Sequence, residues 1–253
     1  MNEDILHKMK QMKLYGMALA FNTSLHNQTE SILTVDEMIT HLVEAEWDDR
    51  NNRRIARHIR NARFRYKADL EQLDFEIDRN LDRNTINRLA ECTFIDKHEN
   101  ILITGSTGIG KSYLASALGN QACMLGYKVY YMNTAKLFGM LKMAKADGSY
   151  IKETARIEKQ DLLILDDFGM QPFDNNSRTA LMEIIEDRHG KRSTIITAQL
   201  PVRQWHDVIG ESTIADAILD RIVHQAYRIE MTGESLRKRQ HPEISSEQEF
   251  STN

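Results

Sequence analysis

An α/β core with a parallel sheet of about five strands, preceded by a small all-α N-terminal domain, is the fold class this sequence predicts. Three observations predict it. Glycine and proline are spread unevenly: residues 1–104 hold one Gly (Gly16) and no Pro, and the rest hold eleven Gly and all three Pro (Pro172, Pro201, Pro242). Gly supplies positive φ and Pro removes an N–H donor, so a stretch almost without either suits long helices. From Asn100 onward, short apolar runs alternate with helical stretches. Such continuous runs imply strands buried on both faces, the pattern of a parallel sheet. Finally, a glycine-rich string links the first of these runs to a helix.

The elements follow in order. Residues 2–25 place Ile5, Leu6, Met9, Met12, Leu14, Met17, Leu19 and Ala20 close to one helical stripe, and the polar segment Asn22–Ser31 reads as a loop. Thr34 with Glu37 three residues later forms a capping-box pattern, opening a second helix that can run to about Phe64. Its first half carries Met38, Ile39, Leu42, Val43 and Trp47. Its second half is basic: eight Arg/Lys and no Asp or Glu lie between Arg50 and Lys67. At 100° per residue, Arg50, Arg53, Arg54, Arg57 and Arg60 fall within roughly a 120° arc, and Arg63 follows. An Arg-rich block without internal acids reads as a surface that tracks phosphates, and five contacts imply a log K against log salt slope near −4.5 (about −0.9 each). A solvated face, salt-bridged at i,i+4 from Asp48 and Asp49, is the alternative. The strands expected next are Ile101–Thr104, Val129–Met132, Leu162–Leu165, Thr194–Thr197 and Tyr227–Met231. The expected division is a helical domain over 1–70, an α/β domain over 71–239 and a disordered polar tail over 240–253.

Bulk properties exclude several classes. With 41% hydrophobic and 28% charged residues the chain is globular rather than disordered. A mean hydropathy of −0.51 and no apolar run near 18 residues argue against a transmembrane helix. Met1-Asn2-Glu3-Asp4 is acidic with no apolar h-region, so no secretory signal is expected. Cys92 and Cys123 are isolated thiols, which fits a reducing cytoplasm and neither a disulfide framework nor a zinc site. The net charge of −4 alone suggests no nucleic-acid partner.

Gly105-Ser106-Thr107-Gly108-Ile109-Gly110-Lys111-Ser112 fits G-x-x-x-x-G-K-[ST], and Tyr113 follows it. It lies between a strand and the helix Lys111–Leu125, the context that a P-loop requires. Glycines let backbone N–H groups curl around a β-phosphate, and the helix N-terminus adds partial positive charge. Lys111 then reaches the β- and γ-phosphates of ATP, and the Ser112 hydroxyl ligates Mg²⁺. Asp161-Leu162-Leu163-Ile164-Leu165-Asp166-Asp167 places two carboxylates at a strand's C-terminal end, where open α/β sheets hold ligands. Asp166 is the expected metal residue, and Asp167 is placed to orient or deprotonate the attacking water. Thr197 or Gln199 can reach the γ-phosphate or that water from the neighbouring strand. Position alone makes Arg221 a surface Arg paired with Asp216 or Asp220.

Together these residues resemble the AAA+ ATPases of the initiator and helicase-loader group, and most closely the IstB-type transposition helper ATPases. The strings that point to the helper branch are Met12-Lys13-Leu14-Tyr15-Gly16-Met17, Leu42-Val43-Glu44-Ala45-Glu46-Trp47, Asn52-Arg53-Arg54 through Ala62-Arg63-Phe64, and Gly233-Glu234-Ser235-Leu236-Arg237. The resemblance implies an N-terminal helical domain on an AAA+ core with no large C-terminal lid. It implies a homo-oligomeric ring or spiral with ATP between subunits. Arg221 then matches an arginine finger, Arg237 a sensor-2 arginine and Thr197 the preferred sensor-1 residue. The implied partners are duplex DNA and a transposase. The competing readings are a DnaC-like replicative helicase loader, a small-molecule kinase, and a nucleotide-gated DNA-binding protein without significant hydrolysis.

Overall fold

The computed structural model describes residues 2–26, 34–224 and 226–236. Arg237 and the expected tail lie outside them. The described residues form two compact units, one ending at Arg57 and the other beginning at His58. Ile59, Ala62, Phe64 and Leu70 all pack into the core of the second unit.

The first unit contains α1 (Asn2–Gln11), α2 (Tyr15–His26) and the beginning of α3 (Val35–Ala62). The single helix expected over 2–25 is therefore two. Lys13 adopts a left-handed φ of 60°. Its N–H donates to the Lys10 carbonyl and the Leu14 N–H to the Met9 carbonyl, the paired bonds of a Schellman stop. Gly16 explains the restart: a Cβ there would lie 2.2 Å from the Ala45 carbonyl oxygen, so only Gly admits α3 this close. The buried Glu46 carboxylate accepts from the Gly16 and Met17 N–H groups at 2.9 and 3.2 Å, capping α2. Burial works against that charge, but Arg50 at 2.6 Å and the two N–H groups outweigh it and hold the carboxyl below its ordinary range. The Thr34–Glu37 capping box forms as expected, with the Thr34 N–H 2.8 Å from Glu37 Oε2.

In the second unit α4 (Arg83–Ala90) and α5 (Thr93–Asp96) lead into β1 (Asn100–Gly105), and α6 (Lys111–Met124) follows. Next come β2 (Val129–Asn133), α7 (Thr134–Asp147), α8 (Tyr150–Glu158), β3 (Leu162–Phe168) and α9 (Asn175–Arg188). The chain continues through β4 (Ser193–Ala198), α10 (Trp205–Ile209), α11 (Ser212–Val223) and β5 (Ala226–Met231). The five strands pair in parallel in the order β2-β3-β4-β1-β5. Successive residues feed opposite faces. Ile101, Ile103, Ile164 and Ile195 meet Leu114 and Leu118 of α6 on one side. Leu102, Leu163, Leu165 and Ile196 meet Leu137, Leu181 and Ile218 on the other. This three-layer packing is why the central strands carry unbroken apolar runs such as Leu162–Leu165, whereas β5 at the edge of the sheet exposes Arg228 and Glu230. No helix of the described residues is long and apolar enough to cross a membrane.

Candidate functional site

The C-terminal ends of the strands converge on one place. Sheet register sets Asn133 of β2 opposite Asp166 of β3, and Ile103 of β1 opposite Thr197 of β4. Between β3 and β4 the register slips after Leu165 and resumes at Phe168, which pairs with Ala198. Asp166 and Asp167 therefore share a bulge, and Asp167 has a left-handed φ of 57°. A bulge re-aims side chains, and here it brings two adjacent carboxylates within reach of one guanidinium, that of Arg65.

The loop Gly105–Gly110 crosses from β1 to the N-terminus of α6. The Ile109 side chain is buried in the core and anchors the loop from below. Gly108 (φ 82°) accepts the Leu236 N–H at 3.0 Å, and a Cβ there would lie 2.1 Å from Ser235 Oγ. The Ser106 hydroxyl donates to the Gly233 carbonyl at 3.5 Å. Lys111 Nζ donates to the Gly105 and Ser106 carbonyls at 2.7 and 2.8 Å, so the ammonium sits within its own loop. Thr107, Gly108, Gly110, Lys111, Ser112 and Tyr113 line a cleft of about 380 Å³, facing Arg65, Asp167 and Gln199.

Asp166 is fully buried, and both of its oxygens are used. Oδ1 accepts from Ser112 Oγ at 2.7 Å and Thr197 Oγ1 at 2.5 Å. Oδ2 accepts from the Tyr131 hydroxyl and from Arg65 Nη1 at 3.4 Å. Burial and this bond to Asp166 both push the Tyr131 phenol upward, so it stays a donor. Asp167 Oδ2 accepts from Asn133 Nδ2 at 3.0 Å and Arg65 Nη1 at 3.2 Å. The Asp167 N–H donates to Thr197 Oγ1 at 3.1 Å. Thr197 is thus committed to the two aspartates, whereas Gln199 lines the cleft and donates to Met170 Sδ at 2.9 Å.

The structure brings together Gly105 through Tyr113, Asp166, Asp167 and Thr197, and adds Arg65, Tyr131 and Asn133, which the sequence did not single out. It does not bring Arg221 to them. That side chain lies on α11, pairs with Glu186 of α9 at 2.7 Å, and donates to the Ala217 carbonyl at 2.9 Å. Neither Asp216 nor Asp220, the partners its position suggested, holds it. It lines a different cavity of about 410 Å³ with Arg188, Arg192 and His224, beside Asn100 at the N-terminal end of β1. Of the arginine stripe, Arg50, Arg53, Arg54 and Arg57 are exposed in the first unit, and Arg60 and Arg63 are exposed in the second. Arg53 pairs with Asp49 at 2.5 Å in the i,i+4 arrangement, and Arg54 donates to Asn51 at 2.9 Å.

A model of the IstB-like ATP binding protein family matches residues 7–244. A protein of Sinorhizobium fredii, provisionally named an insertion sequence ATP-binding protein, is 45% identical over 235 residues, covering 93% of this chain and 96% of its own. Among solved structures, that of DnaI matches with a TM-score of 0.56 at 27% identity, over 66% of this chain and 92% of that one. That of the DnaC helicase loader matches with a TM-score of 0.56 at 22% identity, over 66% and 98%.

Proposed function

The chain belongs to the IstB-like ATP binding protein family and has the AAA+ fold, with no large lid among the described residues; on that premise we propose that it is an ATPase that helps transposition. In this reading it binds ATP with Mg²⁺, oligomerises on duplex DNA, hydrolyses ATP between subunits and presents the DNA to a partner transposase.

The observation that carries the reading is the meeting of Ser112 Oγ and Asp166 Oδ1 at 2.7 Å beside the glycine loop. Hydroxyl and carboxylate oxygens are hard donors, the set that Mg²⁺ prefers, so the residues present fit that ion. Bound there, Mg²⁺ would supply positive charge for the phosphate oxygens of ATP. The chain's own residues do the rest. Backbone N–H groups of Gly105–Gly110 and the α6 N-terminus hold the phosphates, and Lys111 exchanges its loop carbonyls for phosphate oxygens. Asp167, oriented by Asn133, accepts a proton from the attacking water. Thr197 positions Asp166, and Gln199 faces the phosphates. Arg221 of one copy completes the site of the next, a contribution worth about 10³–10⁵ in rate for such fingers. Arg237 is assigned to the same nucleotide on family resemblance alone. The exposed stripe Arg50–Arg63 contacts the DNA backbone. The N-terminal helical part serves DNA and partner, and residues from the lead-in to β5 serve ATP.

Turnover per chain, measured against protein concentration with and without duplex DNA, tests this. It should rise with both, because sites form between copies. Constant turnover with no response to DNA would reject the shared-site reading.

A further inference from the structure

Arg65 has no place in the account above, yet it touches both aspartates. Its Nη1 lies 3.4 Å from Asp166 Oδ2 and 3.2 Å from Asp167 Oδ2. A carboxylate offers about four lone-pair sites. Those of Asp166 are filled by Ser112, Thr197, Tyr131 and Arg65. A metal ion or its water can therefore reach Asp166 only if a donor leaves. Thr197 and Tyr131 are buried on strands and fixed there. Ser112 is itself an intended metal ligand. Arg65 is different: its side chain is 44% exposed, and it sits in an irregular segment just past the end of α3.

We propose that Arg65 is a resident counter-cation of the Asp166–Asp167 pair, which the metal ion displaces when the nucleotide site fills. This rests on the assignment of Asp166 as a metal residue. The group is single-charged and removable, so it holds the site assembled while empty and competes with the metal when nucleotide arrives. Arg65 is here a positioning residue, not a catalytic one.

The competition can be read without turnover. Mn²⁺ affinity, followed by electron paramagnetic resonance on the full-length protein saturated with ADP, should be about fivefold tighter in Arg65→Ala than in wild type, the scale of losing one partly exposed ion pair. Arg65→Lys should fall between them. ADP affinity in excess chelator, which needs a folded site but no metal, should be close to wild type in both. Unchanged or weaker Mn²⁺ binding in Arg65→Ala, with ADP affinity retained, would overturn the proposal. Should Arg65→Ala not fold, Arg65→Lys decides: affinity equal to or below wild type overturns it. Asp166→Asn serves as the separate control. If it binds Mn²⁺ as wild type does, the metal assignment itself fails, whatever Arg65 does.

Discussion

Asp167, the proposed general base, is held from three directions: Asn133 and Arg65 on its carboxylate, and Thr197 on its N–H. Asn is among the few residues that tolerate left-handed backbone, so Asp167→Asn should keep the fold while removing the base. We expect turnover to fall by about 10²–10⁴, the usual worth of a general base, with ATP affinity within about threefold of wild type by titration. Loss of binding as well would mean that Asp167 is structural. Cys92 and Cys123 show the reverse case. Burial pushes both thiols up to about 12, which makes them inert packing groups. At this scale the sequence was informative where residues act through fixed spacing: Lys111, Ser112 and Asp166 declare themselves by motif. Arg65 and Tyr131 do not. Arg65 sits inside an arginine-rich block, so one more arginine there carries no signal, and its partner lies 101 residues away. Tyr131 reads as one more apolar strand residue until its hydroxyl is placed.

Strands were the most legible elements because the central ones are buried on both faces and carry unbroken apolar runs. All five lie where the apolar runs fall. The turn between α1 and α2 was hidden, since Lys13 occupies a left-handed position usually marked by Gly or Asn. The bulge in β3 was equally silent. Nothing in Leu165-Asp166-Asp167-Phe168 announces that two residues will face one. Helix α3 carries the clearest element-level test. Arg53 and Arg50 are committed to Asp49 and Glu46, whereas Arg57 and Arg60 have no ion pair among the described residues. Replacing Arg57 and Arg60 by Ala should weaken duplex binding and reduce the salt slope by about 1.8, at about 0.9 per lost phosphate contact. Binding of ATP should be unchanged. An unaltered slope, measured between low and moderate salt, would return this stripe to a solvated surface.

For the molecule as a whole, the decisive fact is that the glycine loop and Arg221 lie at opposite ends of the same strands. Six residues of β1 span about 20 Å, too far for one arginine side chain. If Arg221 acts at a nucleotide, as proposed, a neighbouring copy would have to supply it. The fold that sets this distance was readable from sequence, but the location of Arg221 required the packing of α11 against α9. Its ion pair with Glu186 has a further result for assembly. Arg221 already has an anion in the single chain, so the proposed docking onto a neighbour's nucleotide would trade one pairing for another, and the interface would gain only the difference between the two. Glu186→Gln should shift sedimentation of the ATP-bound protein toward larger species at a given concentration, and an unchanged distribution would show that the pair has no such role. In the proposed assembly a contact made by such an exchange would be weak, and copies would separate easily once phosphate has left.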